Sequence, residues 1–255
     1  MENTRLNPVT LITGATTGMS TACLRDLARR SQGGLILVDL DEAALCAAAD
    51  DLEMHNAAPE RVSTLAFDVT DKDRWGDAAS FIETQYGRLD WAVVYAGKAR
   101  APETGLVDFR GKTSALDSAV HSLRAAMPLM RKNQQGGVIV VNASAEAKAE
   151  PGAGKGLLGQ MLRVAAKEGA QDNIRVNAVA PGAGNASTWA KTPWFNDLVR
   201  ETGNAERAFA KIAKMSAPMA RYAHADDIGR LIVMLLSDDS PMTGATLVVD
   251  GGQTQ

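Results

Sequence analysis

The stretch 9–20, VTLITGATTGMS, constrains this chain more than any other. The β-prone residues Val9, Thr10, Leu11 and Ile12 run straight into Gly14. A second glycine, Gly18, precedes a pattern in which Met19, Ala22, Cys23 and Leu27 recur at helical spacing. A buried strand that turns tightly through glycine into a helix aims free backbone N–H groups at whatever lies above the turn. The helix N-terminus adds a partial positive charge, so a phosphate is the natural guest. A glycine pair alone is weak evidence, because any tight strand-to-helix turn can want glycine. Two features strengthen it. The next apolar run, Leu35-Ile36-Leu37-Val38, ends in Asp39, where an acidic side chain can take the ribose hydroxyls of an adenine dinucleotide. Beyond it, strand and helix patterns alternate to the C-terminus.

That alternation predicts strands at 9–13, 35–39, 61–67, 91–95, 138–141, 174–179 and 246–249. Helices are expected from the first turn to about Arg30, then over the stretch packing through Ala43, Ala44, Leu45, Ala48 and Leu52. A third opens at Asp71 with Trp75, Ala79, Ile82 and Tyr86 on one stripe. Others cover 115–130, 152–169 and 226–237. The segment 183–215 reads as irregular and partly helical, with Trp189, Trp194 and Phe195 available to cover something. Strands apolar along their whole length, alternating with helices, mean a parallel sheet covered on both faces. Right-handed crossovers make it doubly wound, with ligands at the carboxyl ends of the strands. The expected architecture is α/β, a seven-stranded parallel sheet in one domain over 1–255, with strand 9–13 in its middle.

Composition narrows the function. The 255 residues suit one large domain, and a net charge of −3 without a basic cluster gives no reason to expect nucleic acid. The opening MENTRLNP has no apolar signal core, and no apolar run approaches membrane-spanning length, so a soluble cytoplasmic protein is expected with no membrane partner. Cys23 and Cys46 read as buried small hydrophobes, and His55, His121 and His224 are too scattered to suggest a metal.

Taken together the chain resembles the short-chain dehydrogenase/reductase family over essentially its whole length. The matching pieces are Thr13-Gly14-Ala15-Thr16-Thr17-Gly18, Asp39, Asp68-Val69, Ala96-Gly97, Val141-Asn142, Lys155, the run from Arg175 to Pro181-Gly182, and Thr243-Gly244 with Asp250-Gly251-Gly252. The resemblance implies a single-domain Rossmann fold, an NAD or NADP cofactor, and dimers or tetramers. It places Gly14 and Gly18 at the pyrophosphate, with Thr17 and Met19 in the cofactor set, and Asp39 on the adenosine ribose, where like charge repels a 2′-phosphate and favours NAD. It sets Asp68 and Val69 beside the adenine and Ala96-Gly97 along the ribose side. Lys155, Pro181 and Gly182 complete the cofactor set. Ser20 stands where the family has its third glycine, either donating to a phosphate or crowding the cofactor with its Cβ. Tyr95 replaces the family's asparagine, and filling space is the preferred reading over catalysis.

The resemblance fails at the chemistry. The family uses a tyrosine as acid–base group, a lysine four residues on, a serine on strand five and an asparagine on the preceding helix. Aligned on Lys155, Pro151 takes the tyrosine's place. Aligned on Val141-Asn142, Ala145 takes the serine's, and Ser144 is no automatic substitute because neighbouring strand residues face opposite ways. Ala115 falls where the asparagine belongs. The loops 98–114 and 146–150 are short for the family.

The leading expectation is therefore a non-catalytic subunit that supports an active NAD-dependent paralogue. It resembles two-subunit dehydrogenases of β-hydroxyacyl-CoA intermediates in aromatic breakdown, where one subunit lacks the catalytic residues. Apolar stripes on 115–130 and 152–169, beside Ala119, Ala126, Gly159, Ala165 and Ala166, suggest a homo- or hetero-oligomer packed through those helices. The alternative is an active NAD-dependent oxidoreductase or lyase with relocated acid–base groups, drawn from Tyr95, Lys148, Glu146 and Glu150. A nucleotide-sensing regulator is a third reading, without a recognisable output segment.

Overall fold

Chain segments rich in Val, Ile and Leu on both faces can satisfy their side chains only in a sheet buried from both sides. The computed structural model describes residues 7–95, 109–133, 135–143, 153–182, 192–237 and 239–253. Its strands are β1 (Thr10–Thr13), β2 (Leu35–Asp39), β3 (Val62–Ala66), β4 (Trp91–Tyr95), β5 (Gly137–Asn142), β6 (Ile174–Pro181) and β7 (Thr246–Val249). They form one seven-stranded sheet in the order β3-β2-β1-β4-β5-β6-β7, with every pair parallel. β1 is interior, third from one edge, and β4 takes the centre. The chain runs outward from β1 to β3, then returns across β1 to β4. That reversal opens a crevice between the carboxyl ends of β1 and β4, the place where such sheets bind ligands.

The helices are α1 (Gly18–Arg30), α2 (Glu42–Glu53), α3 (Arg74–Tyr86), α4 (Phe109–Arg131), α5 (Ala153–Ala170), α6 (Pro193–Thr202), α7 (Ala205–Ser216) and α8 (Ala225–Ser237), with a 3-10 turn at Pro59–Arg61. One core cluster joins Leu11, Val38, Val94 and Val141 to Trp75 and Ile82 of α3, Leu123 and Met127 of α4, and Leu158 and Leu162 of α5. The opposite cluster joins Ile12, Leu37, Val93 and Val140 to Leu24 and Leu27 of α1, Leu45 and Leu52 of α2, and Ile228 and Ile232 of α8. Alternate strand residues feed the two clusters, as the pleat requires.

Four expectations change. α3 starts at Arg74 rather than Asp71, because the amide of Asp71 donates to the Asp68 carbonyl and the Asp71 carboxylate takes the Asp73 amide in a turn. α4 starts earlier than residue 115, at Phe109. Within 183–215 the described part is two regular helices, α6 and α7, separated by Gly203 at φ 89° and an Asn204 side chain that caps α7. Finally, Cys23 is buried but Cys46 is exposed. Leu45 uses the inward face of α2, and the next residue is turned about 100° away from it.

The stripes expected to pack against another subunit are also used differently. Ala119, Leu123, Ala126, Leu158, Leu162, Ala165 and Ala166 are all buried within this single chain, facing its own sheet. They are core residues, so the oligomer expectation loses its broad exposed patch. Among the large apolar residues described on α4 and α5, only Val164 is markedly exposed, at 65%.

Candidate functional site

The turn from β1 to α1 is built from the backbone outward. Gly14 has φ 61°, and a Cβ there would lie 2.9 Å from Tyr95 Cβ, so both conformation and space demand glycine. The Ala15 amide donates to the Val38 carbonyl at 3.2 Å, tying the turn to the end of β2. Thr17 caps α1. Its own amide donates to the Gly14 carbonyl at 3.2 Å, and its Oγ1 accepts from the Ser20 amide at 3.4 Å. Gly18 and Met19 begin the helix, so their amides have no carbonyl one turn earlier within it. A Cβ on Gly18 would meet nothing within 4 Å among the described residues, so space beside the helix start is open. This is the arrangement that receives a phosphate at a helix N-terminus.

Ser20 turns its hydroxyl back into the turn. Its side chain is buried, and its Oγ lies 2.6 Å from the Gly14 carbonyl and 2.7 Å from the Thr17 carbonyl. The hydroxyl therefore braces the turn from beneath. Serine's habit of bonding to nearby backbone was the available signal, though not the direction.

Asp39 ends β2 beside this turn. Its Oδ2 accepts from the Thr16 amide at 3.1 Å and the Thr16 hydroxyl at 2.6 Å, and its Oδ1 accepts from the Leu40 amide at 2.8 Å. Thr16 was not singled out from the sequence as an Asp39 partner. Only the pairing of Thr13 with Val38 brings the two together across 23 residues.

Asp68 and Val69 follow β3, the neighbour of β2. Asp68 Oδ1 accepts from the amide and hydroxyl of Thr70 at 2.9 and 2.7 Å, while the Val69 carbonyl takes the Trp75 indole N–H at 2.9 Å. Asp68 is exposed and Val69 half-buried, so this edge is open to a ligand on the Asp39 side. Pro181 ends β6. The Gly182 amide donates to the Val249 carbonyl at 3.0 Å, and a Cβ on Gly182 would sit 2.8 Å from Asp250 Cα. All these residues lie at the carboxyl end of the sheet. Ala96, Gly97, Ala145 and Pro151 lie outside the described residues. Ala115 and Lys155 are placed as backbone positions of α4 and α5.

Tyr95, one of the candidates for a relocated acid–base group, fills space in the core. Its ring packs in the cluster with Ile12, Cys23, Val93 and Val140, beneath the turn on the α1 face of the sheet. The hydroxyl is buried and has no hydrogen-bond partner among the described residues. Burial, with a smaller contribution from Cys23, pushes the phenol well above its ordinary range. A catalytic phenol works beside a cation that lowers its pKa, whereas burial among apolar residues raises this one. Of the other relocation candidates, Glu146, Lys148 and Glu150 lie outside the described residues. Asn142 pairs with Tyr95 in register. Its Nδ2 is 4.0 Å from Met19 Sδ, and its Oδ1 is buried without a partner among the described residues. Among the described residues no group of metal-ligating side chains occurs, and no helix is long and apolar enough to cross a membrane.

The sequence family described as "Enoyl-(Acyl carrier protein) reductase" matches residues 14–254. Trans-4-hydroxycyclohexanecarboxylate dehydrogenase of Sinomonas cyclohexanicum is 31% identical, over 96% of this chain and 92% of that protein. Among solved structures, NAD+-bound xylitol dehydrogenase superposes with a TM-score of 0.80 at 26% identity, covering 97% of this chain and 100% of that one. L-Sorbose reductase from Gluconobacter frateurii, complexed with NADPH and L-sorbose, gives 0.82 at 26% identity, covering 98% and 97%.

Proposed function

The chain belongs to the short-chain dehydrogenase/reductase family, and from that premise we propose that it is a dinucleotide-binding member lacking the family's proton-transfer machinery. It works as a non-catalytic subunit beside an active paralogue. One sequence reading carries the proposal: aligned on Lys155 and on Val141-Asn142, Pro151 and Ala145 stand where the resemblance puts the family's tyrosine and serine, and Ala115 stands where it puts the asparagine. None of these can donate, accept or relay a proton. The burial of Tyr95 supports it, since the phenol nearest the crevice is withdrawn from chemistry.

A bound nicotinamide dinucleotide supplies a hydride donor or acceptor. The chain's own residues fit such a group. Gly14 and Gly18 would clear the approach, the amides of Gly18 and Met19 would hold the pyrophosphate, and Asp39 would take the ribose. NAD is favoured over NADP because Asp39 opposes a 2′-phosphate with like charge. The paralogue oxidises or reduces an alcohol–carbonyl pair in the cytoplasm, with a β-hydroxyacyl-CoA of aromatic breakdown as the substrate class. Val164 on α5 is the exposed apolar residue best placed to mark the contact.

The purified chain alone should show no NAD(H)-linked turnover on a panel of alcohols and carbonyls, and an active paralogue should lose activity when this chain is withdrawn. Turnover near the usual enzyme scale of about 10 per second by the chain alone would overturn the reading. It would favour relocated acid–base groups instead, and Glu146→Gln should then abolish the rate.

A further inference from the structure

The Asp39 carboxylate is immobilised in the protein itself. Ionised carboxylates offer about four acceptor sites. Thr16 fills both sites of Oδ2, through its amide at 3.1 Å and its hydroxyl at 2.6 Å, and the Leu40 amide takes one site of Oδ1 at 2.8 Å. One acceptor site remains, on Oδ1. Among the described residues Asp39 has no ion-pair partner, so its charge is opposed only by these dipoles. The Ala15 amide on the Val38 carbonyl holds Thr16 itself against the end of β2.

We infer that Thr16 is the positioning residue for dinucleotide choice, its hydroxyl locking the Asp39 carboxylate so that it cannot turn away from a 2′-phosphate. A carboxylate at a half-exposed strand end, tethered only by its own chain, swings about its side-chain torsions and escapes a like charge cheaply. Here retreat breaks a short charge-assisted bond from Thr16 Oγ1, a stronger kind than a neutral one. The lock also leaves Oδ1 as the acceptor for a ribose hydroxyl. This inference rests on the dinucleotide-binding reading above.

The test is calorimetric titration of the purified full chain with NADH and with NADPH. The wild type should prefer NADH, and Asp39→Asn should erase the preference. Thr16→Val keeps the shape and removes the hydroxyl, and should narrow the NADH:NADPH affinity ratio by about tenfold. Thr16→Ser should restore it. If Thr16→Val proves unstable, Thr16→Ala gives the same readout. A ratio unchanged within about twofold in Thr16→Val, with Asp39→Asn still collapsing it, overturns the inference while leaving the cofactor reading intact. Equal losses for both dinucleotides overturn it as well, because Thr16 then only supports the turn. No binding of either dinucleotide by the wild type removes the cofactor reading and this inference with it.

Discussion

Deleting the Tyr95 hydroxyl should stabilise the protein. The side chain is buried, and among the described residues its oxygen has no partner. An unsatisfied buried polar group carries a desolvation penalty of about 1–3 kcal/mol. Tyr95→Phe removes that penalty and keeps the ring, sacrificing only the dispersion contacts of one atom, a few tenths of a kcal/mol. The expected gain is about 1–2 kcal/mol, which for a chain of this size raises the thermal midpoint by about 2–8 °C. Tyr95→Asn, the family's own residue, should instead cost about 3–5 kcal/mol, because the ring's volume is emptied while two polar groups are left to satisfy. Urea titration with a tryptophan signal measures both.

A pH series adds an independent arm. The phenol's folded pKa is raised above its unfolded value of about 10, so its contribution is fully present below pH 10 and is lost as pH rises beyond it. The wild type should lose about 1.4 kcal/mol per pH unit there from this group, and Tyr95→Phe should be spared that loss. A destabilised Tyr95→Phe would refute the reasoning, showing that the hydroxyl is satisfied in solution. Asn142 Oδ1, the unpartnered acceptor on the adjacent strand, would be its partner.

Two further outcomes follow from the core and surface. Leu123→Glu and Leu158→Glu place a charge where side chains are 4% and 7% exposed, and circular dichroism should show unfolding or aggregation rather than a soluble dissociated subunit. Val164→Glu, at an exposed site, should instead keep the fold and shift the mass seen by light scattering toward smaller species; an unchanged oligomer would place the contact elsewhere. In the native protein an alkylating reagent should label Cys46 and spare Cys23, whose burial both excludes the reagent and pushes the thiol pKa up; labelling of both would contradict the packing of α1.

The sequence by itself determined the element order and the cofactor turn, because both are local. Strand β2 at Leu35–Asp39 and β4 at Trp91–Tyr95 follow from unbroken apolar runs with punctuation at each end. Gly14 and Gly18 announced a turn whose donors face outward, and the alternation of strand and helix required a parallel sheet. What a periodic pattern omits is the identity of the surface that a face meets. The stripes on α4 and α5 carry the same spacing whether they cover their own sheet or another subunit, and only the packed structure shows Leu123 and Leu158 facing inward. Tyr95 is likewise one residue at a strand end until the pleat turns its ring under Gly14, away from the crevice. The bond from Thr16 to Asp39 needed a fact of another order. It joins residues 23 apart in sequence, and only the β1–β2 register, set by long-range packing of the whole sheet, decides that they meet.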